Sequence, residues 1–199
     1  MKALTERTRN AHIAAGTVLR PAGEVPQSVM FLLSGTVVAT HSTSAGVEIW
    51  PARWRGPTIV DKAAVLDGTP PATGLKTLTD VSARLLPSAV FVRLLEEEQS
   101  VRKHVLAQLA RDAMSGRRRL VQVATLPAVA RIATWLSEQN PDQPIAWRGS
   151  QDQLARVPGL SRVTVNRALA RLSQAGAVEL TPYGILIADR TRLNTFAAD

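Results

Sequence analysis

The chain has 199 residues, 45% hydrophobic and 20% charged, with 24 Lys/Arg against 16 Asp/Glu and no cysteine. That length holds one large domain or two small ones, each with its own core, and the missing cysteines exclude disulfides, thiolate zinc sites, cysteine-held iron–sulfur clusters and a cysteine nucleophile. No apolar run approaches the roughly 18 residues of a membrane span, and the start MKALTERTRNAHIAAG is too polar for a signal peptide, so a cytoplasmic protein without a membrane partner is expected.

The first ninety residues read as β-structure. GTVLRPAGEVPQSVMFLLSGTVVAT carries short β-branched runs broken at Pro21-Ala22-Gly23 and at Ser34-Gly35. VEIWPARW and LKTLTDVSARLLP continue the pattern, with loops at Arg55-Gly56-Pro57 and across GTPPATG. Short strands at near-regular spacing predict a small barrel or sandwich. From about Pro87 the texture changes, and SAVFVRLLEEEQSVRKHVLAQLARDAMSGRRRLVQVATL predicts a short helix followed by a long one. On the long one Leu106, Leu109, Ala113, Gly116, Leu120 and Val123 step by threes and fours, an a/d seam. So narrow a seam on so long a helix favours a partner helix of the same kind, hence a homodimer, over packing against the chain's own β domain. Gly116 would let two such helices approach closely.

Pro127 marks a break before AVARIATWLSEQN, another helix ending at Asn140-Pro141. Ser150 and Gln153 form a capping box for a short helix, Gln151 to Arg156, and Val157-Pro158-Gly159 is a tight turn. Ser161 caps the next helix, which stops at Gly176, and AVEL and GILIA flank Thr181-Pro182-Tyr183 as a hairpin. Helix, turn, helix and hairpin make a winged helix-turn-helix. The predicted division is therefore a β domain over 1–98, a long helix over 99–126 and a winged helix-turn-helix domain over 127–199, an α+β chain.

Within GLSRVTVNRALARL, Val165, Ala168, Leu169 and Leu172 make one apolar stripe, which leaves Arg162, Asn166 and Arg167 on the other side of the helix, with Arg171 further along. In this motif the second helix enters the major groove N-terminus first. Arginine's planar fork matches guanine O6 and N7, and asparagine pairs with adenine. Ser161 and Thr164 stand where hydroxyls and backbone N–H groups meet phosphate. Charge agrees: residues 1–101 hold ten Lys/Arg against nine Asp/Glu, residues 102–125 six against one, and residues 126–199 eight against six. The excess lies where DNA would be met, although a basic cluster alone also suits a solvated face.

GLSRVTVNRALARLSQAGAVEL, with ARIATWL upstream and MFLLSGTVVA in the β region, resembles the cyclic-AMP receptor protein/FNR family of bacterial transcription regulators over nearly the whole chain. The resemblance implies an N-terminal β-roll (a jelly roll like the cyclic-nucleotide-binding domain), a long dimerisation helix, and base reading by Arg162, Val163, Asn166 and Arg167. It also implies double-stranded DNA with a palindromic operator, a second copy of the chain and RNA polymerase as partners. Many members carry Glu at the place of Val163; valine cannot accept from a base amino group but can touch a thymine methyl.

The same resemblance implies a phosphate cassette, Gly-Glu followed by Arg-Ser, in members that bind cyclic nucleotides. Its places fall here on Val60-Asp61 and Pro71-Ala72, and the places that meet adenine fall on Gly116 and Arg117. Asp61 is left to accept a hydroxyl, and only Lys62 or Lys76, outside the motif, could answer a phosphate. A degenerate pocket that does not respond to cyclic AMP is expected. No cofactor or metal is called for, but an axial histidine for haem is open at His12, His41 or His104, which leaves a gas or redox sensor as the rival regulator. Trp50 and Trp54 suit either packing or an apolar effector pocket, while Trp135 suits a helix core with Ile132 and Leu136. Glu96-Glu97-Glu98 reads as a solvated acidic face rather than a metal site, and RRRL at Arg117 to Leu120 as a solvated side of the long helix or as residues that approach DNA phosphates. No Walker loop, metal-spaced cluster or nucleophile elbow is present, so an enzyme is not expected; a dimeric interaction module without DNA readout is the remaining alternative.

Overall fold

The computed structural model describes residues 8–44, 46–138, 145–146, 156 and 160–198. In chain order the elements are β1 (Arg9–Ile13), β2 (Val18–Arg20), β3 (Ser28–Ser34), β4 (Thr36–Ser42), β5 (Glu48–Ile49), β6 (Arg53–Arg55), β7 (Thr58–Val60), α1 (Lys62–Asp67), β8 (Gly74–Thr77) and β9 (Val81–Pro87). They continue as α2 (Ser88–Glu97), α3 (Gln99–Thr125), α4 (Ala128–Ser137), β10 (Ile145–Ala146), α5 (Arg162–Gln174), β11 (Val178–Thr181), β12 (Gly184–Ile187) and α6 (Arg190–Ala198). The chain forms two compact units, residues 1–114 and 115–199, and the division falls inside α3.

In the first unit two antiparallel sheets face each other, one ordered β1-β9-β3-β7 and the other β2-β8-β4-β5 with β6 also on β4. The run Val29-Met30-Phe31-Leu32 shows why β3 is central. Successive side chains of a strand leave on opposite faces, so a continuous apolar run fits a strand covered on both. Met30 and Leu32 enter a core shared with Val37, Ala39, Leu75 and Ala83, which joins the two sheets. Val29 enters a second core with Ile59, Leu86, Phe91, Leu94 and Val105, and Phe31 packs against it. Gly35, at φ 91°, carries the chain from one sheet to the other, and a Cβ there would press on the Asp80 carbonyl.

Val105 is the one fully buried side chain among the 27 residues of α3, and Val101 and Leu109 lie beside it against the second core. That line differs from the predicted seam. Leu106, Ala113, Gly116, Leu120 and Val123 stay exposed, Leu120 at 70%. Leu109, also of the predicted seam, is half-buried and packs against the β unit of its own chain. Nothing lies within 4 Å of a Cβ built on Gly116.

The second unit has one core. Ile132, Ala133 and Leu136 of α4 meet Val165, Ala168, Leu169 and Leu172 of α5, together with Ile185 of β12 and Leu193 of α6, and Trp135 packs against this group as expected. A three-stranded sheet, β10-β12-β11, flanks it. The predicted capping box, the helix from Gln151 and the turn at 157–159 lie outside the described residues, as does Trp147; Arg156 is helical.

Candidate nucleic-acid interface

Local chemistry starts α5 where the sequence places its cap. Ser161 has an extended backbone, and its Oγ accepts from the Thr164 N–H at 3.2 Å and lies 2.8 Å from the Thr164 hydroxyl. A side-chain acceptor at this position answers one of the N–H groups that the first helical turn cannot satisfy. At the other end Gly176, at φ 70°, lets the chain turn out of the helix. The apolar stripe then fixes the rotation of α5: Val165 and Leu172 are fully buried, and Ala168 and Leu169 nearly so.

With that side sealed, Arg162, Val163, Asn166 and Arg167 project from the exposed side within two turns of the N-terminus. No acidic residue occurs between Arg162 and Gln174, so every charged residue of this helix is cationic. Arg171 does not extend it, because its guanidinium sits over the Phe196 ring at 5.8 Å, a cation–π contact that ties α5 to α6. The arrangement offers planar donors, a neutral amide and a methyl-bearing side chain to a groove edge, while Ser161 and Thr164 sit at the helix start.

In the first unit a cavity of about 630 Å³ is lined by Arg20, Trp54, Asp61, Lys62, Leu109 and Asp112 among others. Trp54 therefore lines a pocket, whereas Trp50 is buried and donates its indole N–H to Glu48 Oε1 at 3.0 Å. Val60, of the predicted cassette, is fully buried in the sheet core. Asp61 is not left for a hydroxyl: Arg20 Nε and Nη2 donate to its two oxygens at 2.8 and 3.1 Å. Lys62 is no spare counter-charge either, since its Nζ donates to Asp112 Oδ2 at 2.6 Å and to the Ile59 carbonyl at 3.1 Å. Pro71 gives its carbonyl to the Gly23 N–H, and Ala72 is exposed with its carbonyl 3.3 Å from His41 Nδ1. Gly116 and Arg117 are exposed on α3 within the second unit.

Arg20 and Asp112 complete this constellation and were absent from the sequence reading. Arg20 lies 41 residues from its partner and carries no motif. Asp112 did carry a signal, being the single acid in the basic stretch from 102 to 125. His12, His41 and His104 are all exposed, and no group of three or more potential metal ligands occurs among the described residues. No helix of the described residues is long and apolar enough to cross a membrane.

Comparison with known proteins adds to this geometry. The profile of the Crp-like helix-turn-helix domain matches residues 130–196, and that of the cyclic nucleotide-binding domain matches residues 11–98. A CRP-like cAMP-activated global transcriptional regulator of Mycobacterium tuberculosis is 22% identical, over 96% of this chain and 89% of that protein. Among solved structures, FixK2 from Bradyrhizobium japonicum superposes with a TM-score of 0.83 at 19% identity, covering 96% of this chain and 98% of that one. A regulator of the crp/fnr family from Eubacterium rectale gives a TM-score of 0.83 at 16% identity, over 100% of this chain and 93% of that one.

Proposed function

The chain belongs to the CRP/FNR family of transcription regulators, and on that premise we propose that it is a homodimer that reads a palindromic operator and does not use cyclic AMP as its effector. The observation that carries the DNA reading is the rotation of α5. Its apolar stripe is buried without a gap, and the side left outward holds Arg162, Val163, Asn166 and Arg167 with no acid among them. Arg162 and Arg167 take the guanine-reading role, Asn166 the adenine role and Val163 the thymine methyl, with Ser161 and Thr164 on phosphate.

Homodimerisation is supported by the seam of Leu106, Ala113, Gly116, Leu120 and Val123, apolar or small yet exposed in the single chain. An apolar stripe of that length on a water-facing helix is the usual mark of a partner. Two copies about a two-fold axis would present their recognition helices about 34 Å apart, one turn of the duplex. The reading against cyclic AMP is supported by the commitment of Asp61 to Arg20 and of Lys62 to Asp112. RNA polymerase is the expected partner on DNA, the cytoplasm the expected compartment, and no catalytic activity is assigned.

Selection of bound sites from random duplex DNA tests the proposal. The expected product is a set of inverted repeats with half-sites one helical turn apart. Recovery of no common sequence, together with a flat salt dependence of bulk-DNA binding, would remove the DNA reading and leave the interaction module.

A further inference from the structure

The cavity of the first unit already has both its cations bound to the chain's own carboxylates. Its lining holds Arg20 and Lys62 against Asp61, Asp67 and Asp112, so the carboxylates outnumber the cations. All three guanidinium nitrogens of Arg20 are engaged, with Nη1 donating to the Pro21 and Glu24 carbonyls while Nε and Nη2 hold Asp61. An incoming cyclic phosphate would have to strip a carboxylate from a buried partner before it met any positive charge there.

These pairs also tie elements together. Asp61 takes a left-handed backbone, φ 64°, at the start of α1. It pairs with Arg20 at the end of β2, while its neighbour Lys62 reaches Asp112 on α3 and the Ile59 carbonyl on β7. The Lys62 side chain is 3% exposed. Without Asp112, that ammonium would lose the carboxylate and keep the Ile59 carbonyl, so the buried charge strongly favours the position of α3 that supplies the carboxylate. Leu109, one turn before Asp112, packs against the same unit and lines the same cavity.

Resting on the assignment of this chain as a DNA-binding regulator, we infer that the Lys62–Asp112 pair is a built-in latch that takes the place of an effector. It holds the long helix α3 against the β unit with no ligand bound, so operator affinity is independent of any nucleotide and depends on this pair. The pair supplies from within the contact between sensor and long helix that a ligand could supply only by binding one state better than another.

The test uses the full chain and the operator obtained by selection, at a temperature where every variant is folded by circular dichroism. The parent should bind equally well with and without excess cyclic AMP. Asp112→Asn and Lys62→Met should each weaken operator binding by about tenfold and speed amide hydrogen exchange across residues 105–114, with no further loss in the double variant. Asp112→Glu should restore both readouts, which a mere loss of packing would not predict. Parental affinity and parental exchange in Asp112→Asn would overturn the latch while leaving the DNA reading intact. A parent that selects no operator would overturn the DNA reading instead, and the exchange of Asp112→Asn against Asp112→Glu would still decide whether the pair holds α3. A tenfold rise in parental affinity on adding cyclic AMP would overturn the latch as an effector substitute.

Discussion

Replacing Asp61 with alanine should destabilise the first unit by about 3 kcal/mol, at the lower end of the cost of breaking a buried ion pair from one side. The figure follows from what Arg20 keeps. Its side chain is 8% exposed but borders the cavity, so water entering there replaces the lost carboxylate in part and keeps the cost at the lower end of that range. Two of its four bonds remain, those from Nη1 to the Pro21 and Glu24 carbonyls at 3.0 and 3.2 Å, and they hold the cost below the top of the range. Asp61→Gly separates charge from backbone. It loses the same pair but relieves the left-handed residue, so it should be about 1 kcal/mol less destabilising than Asp61→Ala. The assay is urea unfolding followed by tryptophan fluorescence in a background of Trp135→Phe and Trp147→Phe, which confines the signal to Trp50 and Trp54 of the first unit. An Asp61→Ala variant within about 0.5 kcal/mol of its background, the range of an ordinary surface change, would refute the reasoning.

Other substitutions separate the remaining parts of the account. Arg162→Ala and Arg167→Ala should each relax base preference by about 1–3 kcal/mol while leaving the fold intact by circular dichroism, read by competition between operator and single-base variants; unaltered selectivity in both would contradict their placement. Leu120→Lys should give monomers by sedimentation, and it is a cleaner probe than Leu109→Lys because Leu109 also packs within its own chain; a dimer would contradict the seam. Ser161→Ala should cost about 1 kcal/mol of stability in the second unit, measured by thermal unfolding, through loss of the helix cap.

What could be read from sequence depended on how far apart the deciding residues lie. The recognition helix was legible because its stripe, cap and terminating glycine all sit within sixteen residues, Ser161 to Gly176, and each obeys a local rule. β3 was legible only as part of a β region; that Val29 and Phe31 would serve one core and Met30 and Leu32 another came from the packing. The cavity was not legible in the same way. Asp61 was visible as a carboxylate at a cassette position, but its partner comes from β2 and the Lys62 partner from α3, 50 residues on. Pairings over such distances depend on how the sheets fold back on each other, which no periodicity encodes. For α3 the seam was legible as a stripe, but not that Val105 and Leu109 would face inward: two apolar lines run along that helix, and only packing shows which one the chain covers.

In the proposed complex two copies of α5 enter successive major grooves on one side of a duplex. Because the chain has no cysteine, Ala170→Cys puts a single thiol on the exposed side of α5, next to the reading residues but outside them. A cleaving iron chelate attached there should cut the selected operator in two clusters about 10 base pairs apart, placed symmetrically about its centre. One cluster alone, or even cutting along the whole duplex, would contradict the account.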